Sequence, residues 1–246
     1  MRYFIELSYN GKNYHGWQSQ PNAISVQEVI EKGLSTLYRR PIEILGAGRT
    51  DTGVHAKQMF AHFDSENLIE GLPYKLNAFL PPDIAIQDIF EVRSDAHARF
   101  DATERTYEYW ITLEKNPFLT ESAYWVKRSL DVNRMNEAVK ELFNHRDFKC
   151  FSRSNTDVKT YHCDIKAAFW KQKDHGLIFT ISADRFLRNM VRAVVGTLLD
   201  IGLGKLQVED MKRIIESRDR STAGASAPAK GLYLTRVVYP ESIKNK

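Results

Sequence analysis

Between Gly46 and Ala56 the chain reads Gly-Ala-Gly-Arg-Thr-Asp-Thr-Gly-Val-His-Ala, a stretch that concentrates groups capable of chemistry. Three glycines within eight residues allow unusual turns and close approach of a ligand to the backbone. Arg49 and Asp51 are separated by one residue, so in an extended conformation both side chains point the same way, a cation beside an anion. Thr50 and Thr52 add hydroxyls, and His55 a further donor. A carboxylate held in this manner is equipped to act as nucleophile, general base or metal ligand. The same residues also suit an Asx-type turn closed by an exposed ion pair, and composition leaves both readings open. A phosphate-cradling Gly-Lys-Ser/Thr sequence does not occur.

Two other places carry candidate groups. Arg188 and Arg192 are four residues apart in an apolar stretch predicted as a helix from Phe186 to Ile201, opposite a stripe of Met190, Val191, Val194, Val195 and Leu198. Periodicity alone makes them either solvent-facing charges or cations turned toward a site. Tyr107 lies on a predicted strand, Arg105 to Leu113, with Tyr109 and Ile111 on the same face, a pattern that equally describes a core tyrosine. His55, His145 and His162 stand singly without ligand spacing, so no metal site is expected. Cys150 and Cys163 lack CxxC spacing and read as buried thiols in a reducing cytoplasm.

These groups need a scaffold. Arg2 to Tyr9 alternates as a strand, with Tyr3, Ile5 and Leu7 on one face and Phe4, Glu6 and Ser8 on the other. Ser25 and Glu28 form a capping box ahead of a helix whose stripe is Val26, Val29, Ile30, Gly33, Leu34 and Leu37. Strands are predicted at Ile42–Leu45, Phe60–Phe63 and Ile84–Val92, with a short helix from Pro73 to Leu80 stopped by Pro81-Pro82. Further on come a helix from Asp131 to Phe143, a hairpin of Tyr161–Trp170 and Leu177–Ala183 around residues 172–176, a helix from Val208 to Ile215, and a last strand from Leu232 to Tyr239. The order is roughly β-α-β-β-α-β, then β-α-β-β-α-α-β, which resembles two ferredoxin-like units, the scaffold of many RNA-binding sheets. The expected fold is α+β: two fused ferredoxin-like halves, residues 1–100 and 101–246, forming a mixed, mostly antiparallel sheet with helices on one side and a central cleft.

The 246 residues suffice for one large domain or two small ones. The chain is 43% hydrophobic and 27% charged, which excludes global disorder. Its net charge of +4 permits an anionic partner without demanding one. No apolar run approaches the roughly 20 residues that span a bilayer, and the opening reads as a strand rather than a signal peptide.

Taken in order, several segments resemble the tRNA pseudouridine synthase A family. Gly46–Ala56 resembles its signature, and Tyr9-Asn10-Gly11 through Gly16-Trp17-Gln18-Ser19-Gln20 its N-terminal segment. Ala98-Arg99-Phe100-Asp101-Ala102 leading to Arg105-Thr106-Tyr107 resembles its tyrosine motif, and His145-Arg146-Asp147-Phe148 with Phe151 its central motif. Phe186–Arg192 with Gly196 resembles its arginine helix, and Ser226–Leu234 its C-terminal loop. Thr52 stands where many members carry Ala, Ser226 where Thr is common, and Asp184-Arg185 is more charged than the family's small-residue run.

The resemblance implies isomerisation of uridine to pseudouridine at nucleotides 38, 39 and 40 of the tRNA anticodon stem-loop, by a cytoplasmic homodimer without a cofactor, metal, membrane or other protein partner. It implies Asp51 as nucleophile or initiating base, Arg192 as the cation that keeps it charged, Tyr107 as the ring stacked on the flipped uracil, and Leu232 as pocket lining. Arg49, Arg99, Arg188, Trp17 and Gln18 become candidate RNA contacts, with Trp17 alternatively a packing anchor. Arg105, Lys127, Arg128, Lys149, Arg153 and Lys159 are further candidates for phosphates. A catalytically silent RNA-binding sheet and a glycosidic-bond hydrolase are the alternatives.

Overall fold

The computed structural model describes residues 1–153, 158–174 and 176–244. Among these residues the fold is α+β, with nine strands and five α-helices. The chain divides into two compact units, Met1–Glu104 with Tyr233–Lys246, and Arg105–Leu232.

The first unit begins with β1 (Arg2–Tyr9), α1 (Val26–Tyr38), β2 (Leu45–Gly46), β3 (His55–Asp64), α2 (Leu72–Phe79) and β4 (Ile84–Val92). β1 lies between β3 and β4, antiparallel to both, and β2 pairs with the far side of β3. α1 starts where the capping pattern places it: Ser25 Oγ accepts the Glu28 N–H at 3.2 Å. Its buried stripe is Val26, Ile30, Gly33 and Leu34, and it ends at Arg39 in the left-handed conformation (φ 53°). Pro73 sits in the first turn of α2, where its missing N–H costs nothing. Phe4, on the face of β1 opposite Tyr3, Ile5 and Leu7, is fully buried among Phe60, Phe90 and Tyr239, while Glu6 and Ser8 on that face are partly buried.

The strand predicted over Ile42–Leu45 does not form there; β2 is Leu45–Gly46. The reason is local. The Ile42 N–H donates to Ser35 Oγ, the Ile44 N–H to Glu31 Oε1, and the Ile44 carbonyl accepts from Gln27 Nε2, so side chains of α1 take the groups a ladder would use.

The second unit contains most of β5 (Glu104–Thr112), then β6 (Tyr124–Trp125), α3 (Val132–Val139), β7 (Ile165–Lys173), β8 (Gly176–Ala183), α4 (Met190–Gly202) and α5 (Asp210–Ser217). β8 is antiparallel to both β5 and β7, and the two-residue β6, which periodicity does not reveal, pairs parallel with β5. His175, in the predicted hairpin turn, lies outside the described residues. β7 starts at Ile165 rather than Tyr161, because the Tyr161 carbonyl accepts from Phe148 and the Cys163 N–H donates to Arg146. Asp131 caps α3 as expected, its carboxylate accepting the Arg134 N–H at 3.0 Å, and a 3-10 turn, Lys140–Asn144, continues the helix.

The expected helix from Phe186 begins only at Met190, because Asn189 adopts φ 66° and ends helical geometry on its N-terminal side. Arg188 thus precedes α4, and the predicted i,i+4 face of Arg188 and Arg192 does not exist. The last strand, β9 (Leu232–Val238), pairs parallel with β3 through His55↔Tyr233 and Ala56↔Leu234, which makes the pairing mixed. Residues 233–244 cluster with the first unit. No helix among the described residues is long and apolar enough to cross a membrane.

Candidate active site

Asp51 lies partly buried in the loop joining β2 to β3. The segment from Tyr9 to Trp17 clasps this loop. The Trp17 N–H donates to the Thr50 carbonyl at 3.3 Å, the Gly53 N–H to the Tyr14 carbonyl at 3.3 Å, and the Val54 N–H to the Asp51 carbonyl at 3.1 Å. The Tyr9 and Thr50 hydroxyls are hydrogen-bonded at 2.9 Å. Backbone meets backbone so closely that side chains are excluded: a Cβ on Gly11 would lie 1.9 Å from the Val54 oxygen, and one on Gly16, at φ +88°, 2.3 Å from the Thr50 oxygen. These glycines hold the Asp51 backbone in place.

His55 is 2% exposed and completes the clasp, its Nδ1 accepting the Gly11 N–H at 3.1 Å. That bond puts the proton of the neutral ring on Nε2. Its ring stacks on Tyr233, centroids 4.6 Å apart. A cavity of about 390 Å³ opens beside it, lined by Tyr9, Asn10, Lys57 and Asp83 among others. Tyr14 donates to Asp83, and burial, reinforced by that carboxylate, pushes its hydroxyl up.

Trp17 is 1% exposed, packed against the Tyr9 ring and the Gly46 backbone, which is the packing-anchor alternative for this residue. Gln18 is partly buried, its amide donating to Gln27 Oε1 at 2.9 Å. Arg49 and Arg99 are exposed.

In the second unit, Tyr107 meets Phe186 edge to face at 5.2 Å. Its neighbours along the same strand face, Tyr109 and Ile111, are 0% and 4% exposed, while Tyr107 itself is only partly buried. The core reading holds for those two and weakens at Tyr107. Tyr109 donates to the Pro228 carbonyl at 2.8 Å, and burial pushes its hydroxyl up.

Arg192, partly buried on α4, is fastened to the loop of residues 224–231 at both ends. Its Nε donates to the Ala227 carbonyl at 2.7 Å, and its own carbonyl accepts the Ala227 N–H at 2.9 Å. One residue earlier, Ser226 Oγ accepts from Asn189 Nδ2 at 2.7 Å and from Arg220 Nη2 at 3.0 Å. Leu232, 5% exposed, follows Gly231, which lies against the Tyr109 ring. Arg188 is exposed, and its carbonyl accepts the Arg153 N–H. Burial pushes the Cys150 and Cys163 thiols up to about 12, so neither is a thiolate at neutral pH.

Asn189, Arg220, Ser226 and Ala227, and the pair Gly11 and His55, escape reasoning from periodicity. Most lie within the motifs singled out in the sequence, but their roles depend on partners distant along the chain.

Residues 138–240 match a family model described as tRNA pseudouridine synthase. The chain is 55% identical to tRNA pseudouridine synthase A of Bacteroides thetaiotaomicron, across 98% of this chain and 92% of the relative. The chain belongs to the tRNA pseudouridine synthase A family. Members from Bacteroides fragilis (53% identical, 98% of each chain) and Bacillus subtilis (40% identical, 97% of this chain and 99% of the relative) match over the same extent. The residues covered by the family model include Arg192 and Leu232, and the alignments to tRNA pseudouridine synthase A sequences span nearly the whole chain.

Proposed function

We propose that the protein isomerises uridine to pseudouridine at nucleotides 38, 39 and 40 of the tRNA anticodon stem-loop, with Asp51 as nucleophile or initiating base. The observation that carries this reading is the Asp51 loop itself, a carboxylate-bearing turn whose backbone is fixed by Gly11, Gly16 and His55 in a member of this family. A reacting carboxylate gains from such prior placement, because the geometry need not be found during the reaction.

The N1–C1′ bond breaks, the uracil turns, and C5 joins C1′. The proton lost from C5 is matched by one gained at N1, so nothing is oxidised and no group is transferred to another molecule. Asp51 either attacks the nucleotide or takes the proton that begins glycal formation. Arg192 is the cation proposed to keep Asp51 ionised, since a desolvated carboxylate without a partner protonates instead. Tyr107 stacks on the detached uracil, and Leu232 closes its pocket. Arg49, Gln18, Arg99 and Arg188 are the proposed RNA contacts. The strand order β4-β1-β3-β2 in the first unit supports a ferredoxin-like reading of that half, and the second half is proposed to share it. A homodimer working in the cytoplasm completes the proposal.

The test is incubation of the protein with uridine-labelled tRNA. Pseudouridine at positions 38–40 is expected. Unchanged uridine would point to a binding protein, and free uracil to a hydrolase.

A further inference from the structure

The segment from Ala96 to Asp101 is fastened almost residue by residue. Arg2 Nη1 donates to the Ala96 carbonyl at 2.8 Å, and the His97 N–H to Asp101 Oδ2 at 2.7 Å. The Ala98 N–H donates to Nδ1 of buried His62 at 3.2 Å, while Tyr239 OH donates to the Ala98 carbonyl. The Arg99 N–H donates to His97 Nδ1 at 3.1 Å, and the Asp101 N–H to the His97 carbonyl. Anchors thus come from β1, from β3 and from the chain just past β9.

At the tip of this rigid turn stands Phe100, 73% exposed. The His97 ring lies 4.3 Å from it and the Arg99 guanidinium 5.6 Å above it. An exposed phenylalanine on a mobile loop is unremarkable surface. One held by this many hydrogen bonds has had its conformational freedom removed before any partner arrives, the usual preparation of a binding group.

We infer that Phe100 is a nucleobase-stacking residue, with Arg99 supplying the adjacent cation for the same RNA strand. The inference rests on the tRNA reading above and adds a contact to it. An aromatic face takes any base, and a neighbouring guanidinium suits either a phosphate or the opposite face of that base. A protein partner matches less well, since the exposed apolar group on this turn is one ring rather than a contiguous apolar patch.

The experiment compares Phe100→Ala, Phe100→Leu and Phe100→Trp in the full-length protein. Equilibrium affinity for unmodified tRNA, turnover at saturating tRNA, melting temperature and sedimentation are measured. Loss of stacking is expected to weaken affinity by roughly 5- to 150-fold in the Ala variant. The Leu variant, apolar but without a π face, should lose most of the same affinity, and the Trp variant should keep it. Saturated turnover and melting temperature should stay at the wild-type values. The indole added by Phe100→Trp should lose fluorescence with tRNA and not with heparin. Wild-type affinity in the Leu variant, or no tRNA-specific quenching, overturns the inference. So does a change of oligomeric state in the Ala variant, which would assign the turn to a second copy of the chain. If the wild-type protein makes no pseudouridine, the functional reading fails first; if it does and Phe100→Ala binds normally, only the stacking role falls.

Discussion

The Asp51 loop and Arg192 are held by different sets of bonds. Asp51 is fixed through its main chain: the Tyr9–Trp17 segment grips the carbonyls and N–H groups of residues 50–54, and the Asp51 carbonyl takes the Val54 N–H. Arg192 is fixed through its side chain as well, with Nε committed to the Ala227 carbonyl. The difference separates two design problems. In the first unit the main-chain bonds of the loop do not pass through the reacting carboxylate, so changing that group leaves them in place. In the second, changing the group also opens the latch that holds residues 224–231.

The largest effect follows directly. Asp51→Asn removes the charge and keeps the shape and the clasp. Pseudouridine formation should fall by at least about 10³-fold, with melting temperature and tRNA affinity near wild type. Retained turnover would remove Asp51 from the mechanism, and a large loss of stability would mean that its carboxylate, not its backbone, holds the loop.

Acid separates the two units next. Burial, with Arg2 and His97 nearby, lowers His62 to about 4, against the opposing pull of Asp64 and Asp101. The unfolded chain takes up this proton near pH 6.5 and the folded chain only near 4. Stability from neutral His62 is therefore complete above pH 6.5 and lost as pH falls toward 4, up to about 3 kcal/mol. His62→Asn, whose Oδ1 takes the place of Nδ1, can still accept the Ala98 N–H and does not titrate, so its acid loss should be smaller by that amount. Hydrogen exchange should rise with acid at residues 96–101 and not at residues 224–231, whose latch uses Arg192, Arg220, Asn189 and Ser226.

Gly16→Ala tests the clasp alone. Its Cβ would meet the Thr50 oxygen in a left-handed backbone, costing about 1–3 kcal/mol in urea unfolding and lowering turnover through Asp51. Arg192→Lys tests the latch. It keeps a charge but loses the fork and the bond to Ala227, so it should cost about 1–2 kcal/mol while reducing turnover further than the stability loss explains. Full activity in Arg192→Lys would argue that catalysis needs no guanidinium fork and that the latch to Ala227 is the reason for an arginine here.

What was legible in the sequence was local. Ser25 and Asp131 cap helices because their partners, Glu28 and Arg134, lie three residues away. The Gly46–Ala56 loop is conspicuous by composition. Ile42–Ile44 misleads because Ser35, Glu31 and Gln27 capture its backbone from a neighbouring helix. Arg188 and Arg192 appear to share a helical face because no periodicity reports that Asn189, 37 residues from its partner Ser226, turns left-handed between them. Tyr107 is ambiguous for the same kind of reason: its strand pattern is that of Tyr109, and only the packing distinguishes a fully buried ring from a partly buried one.

The smallest expected effect sharpens the account of the loop from within. Gly48 lies between Gly46 and Asp51, yet a Cβ there would meet nothing within 4 Å, and its φ is outside the left-handed region. Gly48→Ala should therefore not destabilise the fold. By narrowing the unfolded ensemble it should add about 0.4–1 kcal/mol, a rise of a few degrees in melting temperature at most. Activity then becomes informative, because the open space beside Gly48 is either idle or kept for RNA. Raised KM for tRNA with unchanged stability would assign that space to the substrate backbone. Wild-type kinetics would assign the loop's glycine requirement to Gly11 and Gly16, on the other side of the clasp. A stability loss as large as that of Gly16→Ala would show that close backbone approach is not what distinguishes the glycines around Asp51.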